Sequence, residues 1–78
     1  MKNRSRTEII TAILYSAENG TGKTKIMYEA YLSYDQLKLY LAFLKRNGMI
    51  TVNDKVIMTS AKGKSFLKAS AQMDKLLK

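Results

Sequence analysis

Apolar residues recur along this chain first at helical spacing and then at strand spacing, with the change at Met49. Ile9, Ile10, Ile13, Leu14 and Ala17 lie three and four apart, which predicts an amphipathic helix with one buried face. Ser5-Arg6-Thr7-Glu8 ahead of them has the form of a capping box, in which the serine hydroxyl and the glutamate carboxylate satisfy amides that the first turn leaves free. That helix is expected to run to about Glu18 and stop at Asn19-Gly20. Past the Gly20-Thr21-Gly22 break, Thr24 is placed to cap a short second helix with Ile26, Met27 and Ala30 inward and Leu32 closing the turn. Ser33-Tyr34-Asp35-Gln36 is a second capping box, with an acid in the first turn where the helix dipole favours it. A third helix is expected over 34–47. Leu37, Leu41 and Leu44 form its apolar stripe, Lys45 and Arg46 fall in its last turn, and Gly48 suits the left-handed residue that ends it.

After Met49, two short β-prone runs, Met49–Val52 and Val56–Thr59, flank Asn53-Asp54-Lys55. This is hairpin chemistry, because Asn and Asp tolerate positive φ. Thr59 or Ser60 is expected to cap a last helix from about Ala61 to Leu77, with Phe66, Leu67, Met73, Leu76 and Leu77 as its apolar members. The expected fold is one mainly α domain over 1–78, ordered helix, helix, helix, hairpin, helix. Two helices joined by a tight turn, the second apolar on one side and polar or basic on the other, make a helix-turn-helix whose second helix fits a major groove about 12 Å wide. The hairpin would then be a wing, its tip at Asn53, Asp54 and Lys55 lying against the phosphate backbone or the adjacent minor groove. A generic three-helix domain ending in a hairpin has the same element order.

Composition narrows the chemistry. With 78 residues the chain is one domain, and at that size folding hides only about 60% of the unfolded surface. Cysteine and histidine are both absent, which excludes disulfides, zinc fingers and thiol or imidazole catalysis. The six acids, at 8, 18, 29, 35, 54 and 74, form no close pair in sequence. The expectation is a protein that is not an enzyme and takes no cofactor or metal. No apolar run approaches the ~20 residues that span a bilayer, and the basic stretch Met1 to Arg6 leads into an amphipathic segment rather than a signal core. A soluble cytoplasmic protein associated with the nucleoid is expected.

Fourteen Lys and Arg against six Asp and Glu give a net charge of +8. The excess is uneven: three bases face two acids in residues 1–20, five face two in 21–48, and six face two in 49–78. A field of that sign concentrates polyanions, nucleic acid first among them, although a lysine-rich surface also serves solubility. A competing motif lies at Ala17-Glu18-Asn19-Gly20-Thr21-Gly22-Lys23-Thr24, which fits a relaxed phosphate-binding loop with alanine for the first glycine. Such a loop needs a buried strand before it and a parallel sheet around it. The segment ahead is instead an amphipathic helix, and no later apolar run ends in a metal-holding aspartate. The alternative role for this segment is that Thr24 caps the second helix while Lys23 and the first-turn amides meet a DNA phosphate.

Several stretches carry a family likeness: Arg4-Ser5-Arg6 with Glu8-Ile9-Ile10; Thr24-Lys25-Ile26-Met27; Leu32-Ser33-Tyr34-Asp35-Gln36-Leu37 with Tyr40-Leu41; Gly48-Met49-Ile50; and Thr59-Ser60-Ala61-Lys62-Gly63 followed by Phe66-Leu67. In these the run from Arg4 to Leu67 resembles the archaeal winged helix-turn-helix family of small transcription regulators and chromatin-associated proteins. The resemblance implies a winged-helix fold, double-stranded DNA as ligand, and a dimer often made through the C-terminal helix. Two residues depart from the family pattern. Leu39 stands where relatives often carry lysine or another polar residue, and Ile57 where an aromatic is usual in the wing.

On the third helix, taking Leu37, Leu41 and Leu44 as buried and about 100° per residue, Asp35, Leu39, Ala42 and Arg46 lie farthest from the core, flanked by Gln36 and Phe43. The N-terminal positions of a recognition helix go deepest into the groove. Candidate contacts to base edges and nearby phosphates are therefore Ser33, Tyr34, Gln36, Lys38 and Leu39. Lys23, Thr24, Arg46, Asn53 and Lys55 are the candidates for the backbone. The Gln36 amide suits bidentate pairing with adenine, or serves the capping box alone. Leu39 suits a thymine methyl. Along the last helix Phe66, Ser70, Met73 and Leu77 follow a partial heptad seam, and a homodimer through that helix is expected. The alternative function is a winged helix used for protein contact without DNA, which outward Leu39 and Phe43 would suit.

Overall fold

The structure, a computed structural model, describes residues 4–77. Met1 to Asn3 of the basic N-terminal stretch lie outside the described residues, and so does the side chain of Leu77 that was expected in the last helix's apolar set. The elements run α1 (Arg6–Ser16), α2 (Lys23–Glu29), α3 (Tyr34–Arg46), β1 (Ile50–Asn53), β2 (Val56–Thr59) and α4 (Ala61–Leu77). This is the winged helix-turn-helix order that the hydrophobic pattern predicts.

Both capping boxes form. The Glu8 amide donates to Ser5 Oγ at 3.1 Å while the Ser5 amide donates to Glu8 Oε1 at 2.8 Å. At α3 the Gln36 amide donates to Ser33 Oγ at 3.2 Å and the Ser33 amide to Gln36 Oε1 at 3.1 Å. Each box satisfies two amides that the first helical turn cannot.

The start of α2 differs from expectation. Its N-cap is Gly22, extended at φ −92° and ψ 165° with no side-chain cap, and Thr24 is the second residue of the helix rather than its cap. The reason lies one residue upstream. Thr21 forms an isolated bridge with Ile57, the Thr21 amide donating to Ile57 O at 2.9 Å and the Ile57 amide to Thr21 O at 2.8 Å. Anchored there, the chain turns into the helix at once. The first helix ends early for a related reason. It stops at Ser16 with Ala17 as C-cap: Leu14 O accepts the Thr59 hydroxyl at 2.7 Å, Glu18 N turns to Tyr15 O at 3.3 Å, and the Ala17 carbonyl accepts from Gly20 N at 3.1 Å and Thr59 N at 2.9 Å.

Helices α2 and α3 end alike. Each is followed by a left-handed residue, Tyr31 at φ 53° and Gly48 at φ 71°. The next amide in each case reaches back to the helix, Leu32 N to Met27 O at 3.0 Å and Met49 N to Leu44 O at 2.9 Å. This is the Schellman closure, and glycine is its usual occupant. A tyrosine in that conformation costs about 1 kcal/mol. The third helix ends at Arg46 with Asn47 as its C-cap, one residue short of the expected 34–47.

The hairpin pairs Ile50 with Thr59, Thr51 with Met58, Val52 with Ile57 and Asn53 with Val56. Asp54 alone takes positive φ in the loop, at 59°. Asn53 is the last residue of β1, so the wing tip proper is Asp54-Lys55 rather than 53–55. On the inner face Ile50, Ile57 and Thr59 are buried, and the Thr59 hydroxyl donates to Leu14 O at 2.7 Å. Ser60 settles the cap of α4: its hydroxyl accepts from Gly63 N at 3.2 Å and donates to Gly48 O at 2.6 Å. One core joins all layers. Ile13, Leu14, Ile26, Leu37, Leu44 and Ile57 are wholly buried in it, which stabilises the fold by about 2 kcal/mol for each side chain.

Candidate nucleic-acid interface

With Leu37 and Leu44 turned inward and Leu41 half-buried, the rest of α3 faces out. The opposite edge carries Ser33, Tyr34, Asp35, Gln36, Lys38, Leu39, Ala42, Phe43 and Arg46, all exposed. Leu39 is 73% exposed and is the most prominent apolar residue of the helix. The wheel drawn from the sequence therefore holds on the folded protein. At the helix start the Lys38 ammonium lies 5.5 Å from the centre of the Tyr34 ring, a cation–π contact that keeps the cation over the N-terminal half of the surface. Tyr40 is half-buried and packs against the core.

Gln36 has a structural job that limits its freedom. Its carbonyl oxygen holds the Ser33 amide, leaving the second lone pair of that oxygen and both N–H groups for any outside partner. Ser33 likewise spends its hydroxyl oxygen on the Gln36 amide.

The remaining candidates lie on two other elements. Lys23 and Thr24 open α2, exposed, while Asn53 and Lys55 sit at the end of the hairpin, also exposed. The Gly20-Thr21-Gly22-Lys23-Thr24 segment is preceded by the helix α1, where a phosphate-binding loop needs a strand. Among the described residues no group of three or more His, Cys, Asp or Glu is placed to hold a metal ion. None of the described helices is long and apolar enough to cross a membrane.

Three features escape the local pattern. A cleft of about 320 Å³ opens between α1 and α3, lined by Arg6, Ile10, Leu39, Tyr40 and Phe43. The Arg4 guanidinium donates to Tyr31 O at 3.1 Å and lies 5.9 Å from the centre of the Tyr31 ring. Thr21 adds its bridge beside the hairpin. Each joins residues far apart in sequence, so no spacing rule marks them.

Known proteins bear on the same architecture. No curated protein matches the chain. Among solved structures, the crystal structure of Sso10a-2, a DNA-binding protein from Sulfolobus solfataricus, superposes with a TM-score of 0.81 at 26% identity, covering 94% of this chain and 81% of that one. The sequence model of the winged helix-turn-helix family matches residues 3–78. With that match spanning the helices, the hairpin and α4 alike, the chain belongs to the winged helix-turn-helix family.

Proposed function

We propose that this protein binds double-stranded DNA, with α3 in the major groove and the hairpin tip against the backbone or the adjoining minor groove, as a transcription regulator or an architectural DNA binder. The observation that carries the reading is the exposed N-terminal half of α3. It presents Ser33, Tyr34, Gln36, Lys38 and Leu39 on one surface, directly after the turn from α2. The similarity to Sso10a-2, itself a DNA-binding protein, and the net charge of +8 support it. In this reading Ser33, Tyr34, Gln36, Lys38 and Leu39 meet base edges and nearby phosphates, while Lys23, Thr24, Arg46, Asn53 and Lys55 meet the backbone. Binding rather than catalysis is the activity, in the cytoplasm and on the nucleoid. Duplex binding measured across salt concentrations tests it, since several phosphate contacts make affinity fall steeply as salt rises. Salt-insensitive or absent duplex binding refutes it. Selection from random duplexes then separates a regulator, which yields one strong motif, from an architectural binder, which yields none.

A second reading has its own observation. Leu39 and Phe43 are exposed beside the cleft with Ile10 and Tyr40, a surface suited to protein contact, and a chain used that way would bind duplex weakly or not at all. A homodimer through α4 is also part of the proposal. Met73 and Leu76 are 61% and 82% exposed near the end of that helix, beyond the part that covers the core. Sedimentation as a monomer at micromolar concentration refutes the dimer.

A further inference from the structure

The left-handed Tyr31 lies in the turn that leads into α3, and Arg6 at the head of α1 lines the cleft beside Leu39 and Phe43 of α3. Tyr31 takes up the left-handed conformation that ends α2, two residues before the Ser33 cap of α3, and its ring is 82% exposed. Its carbonyl and its ring both hold the Arg4 guanidinium. A side chain kept in a conformation that suits glycine better, with its ring in solvent, points to a task outside the core. One donated N–H leaves the guanidinium fork four more donors, and the contact with the ring limits the rotamer freedom that binding would remove. Two residues on, Arg6 opens α1. Its side chain makes no hydrogen bond or ion pair among the described residues, it sits at the helix end where a cation is disfavoured, and it lines the cleft beside Leu39 and Phe43 of α3.

The position of α1 places these two arginines relative to the wing. Its C-terminal end is tied to the hairpin, through Thr59 N to Ala17 O and through the Thr59 hydroxyl to Leu14 O. Its 11 residues make a rod about 16 Å long, so its N-terminal end lies well away from the hairpin. The base of the hairpin is thus fixed to the C-terminal end of α1, while Arg6 at the other end of that helix stands beside α3. A helix seated in a major groove has a phosphate strand along each side. We infer that Arg4 and Arg6 form a second backbone clamp, gripping the phosphates on the side of the groove away from the wing, with Tyr31 as the seat that aims Arg4. This rests on the DNA reading above and extends it to residues that neither α3 nor the hairpin supplies.

The test is the salt dependence of duplex binding by the full chain carrying Arg4→Gln and Arg6→Gln together. Two lost phosphate contacts should make the slope of log affinity against log salt shallower by about 1.8, with the fold retained by circular dichroism and the melting temperature lowered by only a few degrees for the lost Arg4 contact to Tyr31. Replacing both by lysine should restore the slope, since the charge returns. Tyr31→Asn, whose side chain accepts the left-handed conformation, should fold as well as the parent yet bind about threefold more weakly at low salt for want of the seat. A parent that binds duplex with a steep slope and a double Gln variant with the same slope overturn the clamp while leaving the groove reading intact. A parent without salt-dependent duplex binding overturns the groove reading itself, and the clamp falls with it.

Discussion

Gly63 gives the sharpest test of how this fold is held, because two physical effects there predict opposite signs. The residue lies in the first turn of α4. Glycine inside a helix is less favourable than alanine by about 1 kcal/mol, so propensity alone predicts that Gly63→Ala stabilises the protein. A Cβ at Gly63 would lie 2.4 Å from Met49 O and 2.6 Å from Thr59 Cγ2, whereas ordinary contact begins near 3.4 Å. About 1 Å of movement is required, and the atom that must yield is backbone. The same Met49 carbonyl accepts the Ser60 amide at 2.9 Å, where the chain enters α4. Forcing extra volume into such a contact costs about 1–3 kcal/mol, and weakening the hydrogen bond adds about 1 kcal/mol. After subtracting the propensity gain, Gly63→Ala should destabilise by about 2 kcal/mol, which lowers Tm by roughly 10 °C for a domain this small. Thermal unfolding followed by circular dichroism reads this directly. Ser65→Ala, at an exposed position on the same helix, serves as the control and should gain about 0.5 kcal/mol. A Gly63→Ala protein that melts at or above the parent temperature refutes the close-approach argument.

Three further outcomes follow from other contacts. Thr59→Val keeps the shape but strips the donor from Leu14 O, and urea unfolding should show a loss of about 1–2 kcal/mol; no loss would mean the buried carbonyl finds another partner. Gly22→Ser supplies the side-chain cap that α2 lacks at an extended N-cap residue, and should raise stability by about 0.5 kcal/mol in the same assay. Leu39→Ala should leave stability within about 0.5 kcal/mol of the parent, because the side chain is already in solvent. In duplex binding it should weaken selected sites that carry a thymine methyl at that contact more than random duplex, and equal weakening of both would remove Leu39 from base readout.

The parts of the fold legible in the sequence are those whose causes lie within one turn of chain. Ser5 with Glu8 and Ser33 with Gln36 close their boxes across three residues, and Gly48 and the hairpin loop at Asp54 are similarly local. The start of α2 is not legible locally because its cause, the Thr21 bridge to Ile57, joins residues on different elements far apart in sequence. Tyr31 carried no local signal for its left-handed turn, since tyrosine is not a residue that favours it. On the candidate interface, the outward face of α3 follows from the stripe of Leu37, Leu41 and Leu44 by helix geometry alone, although Leu41 is only half-buried. Arg6 was invisible as its neighbour because only the packing of α1 on α3 sets it beside Leu39.

The ties between the hairpin and α1 have a mechanical consequence. Thr21 grips the strand at Ile57, and Ala17 and Leu14 grip it again at Thr59, so the wing is bolted to the frame instead of hanging from two free ends. Held so along β2, the wing would act as a jaw whose opening is set before any partner arrives. A duplex seated between that jaw and α3 would have to conform to a gauge that does not flex. The work of fitting would then fall on the DNA, and sequences that bend or narrow easily would be preferred even at base pairs no side chain touches.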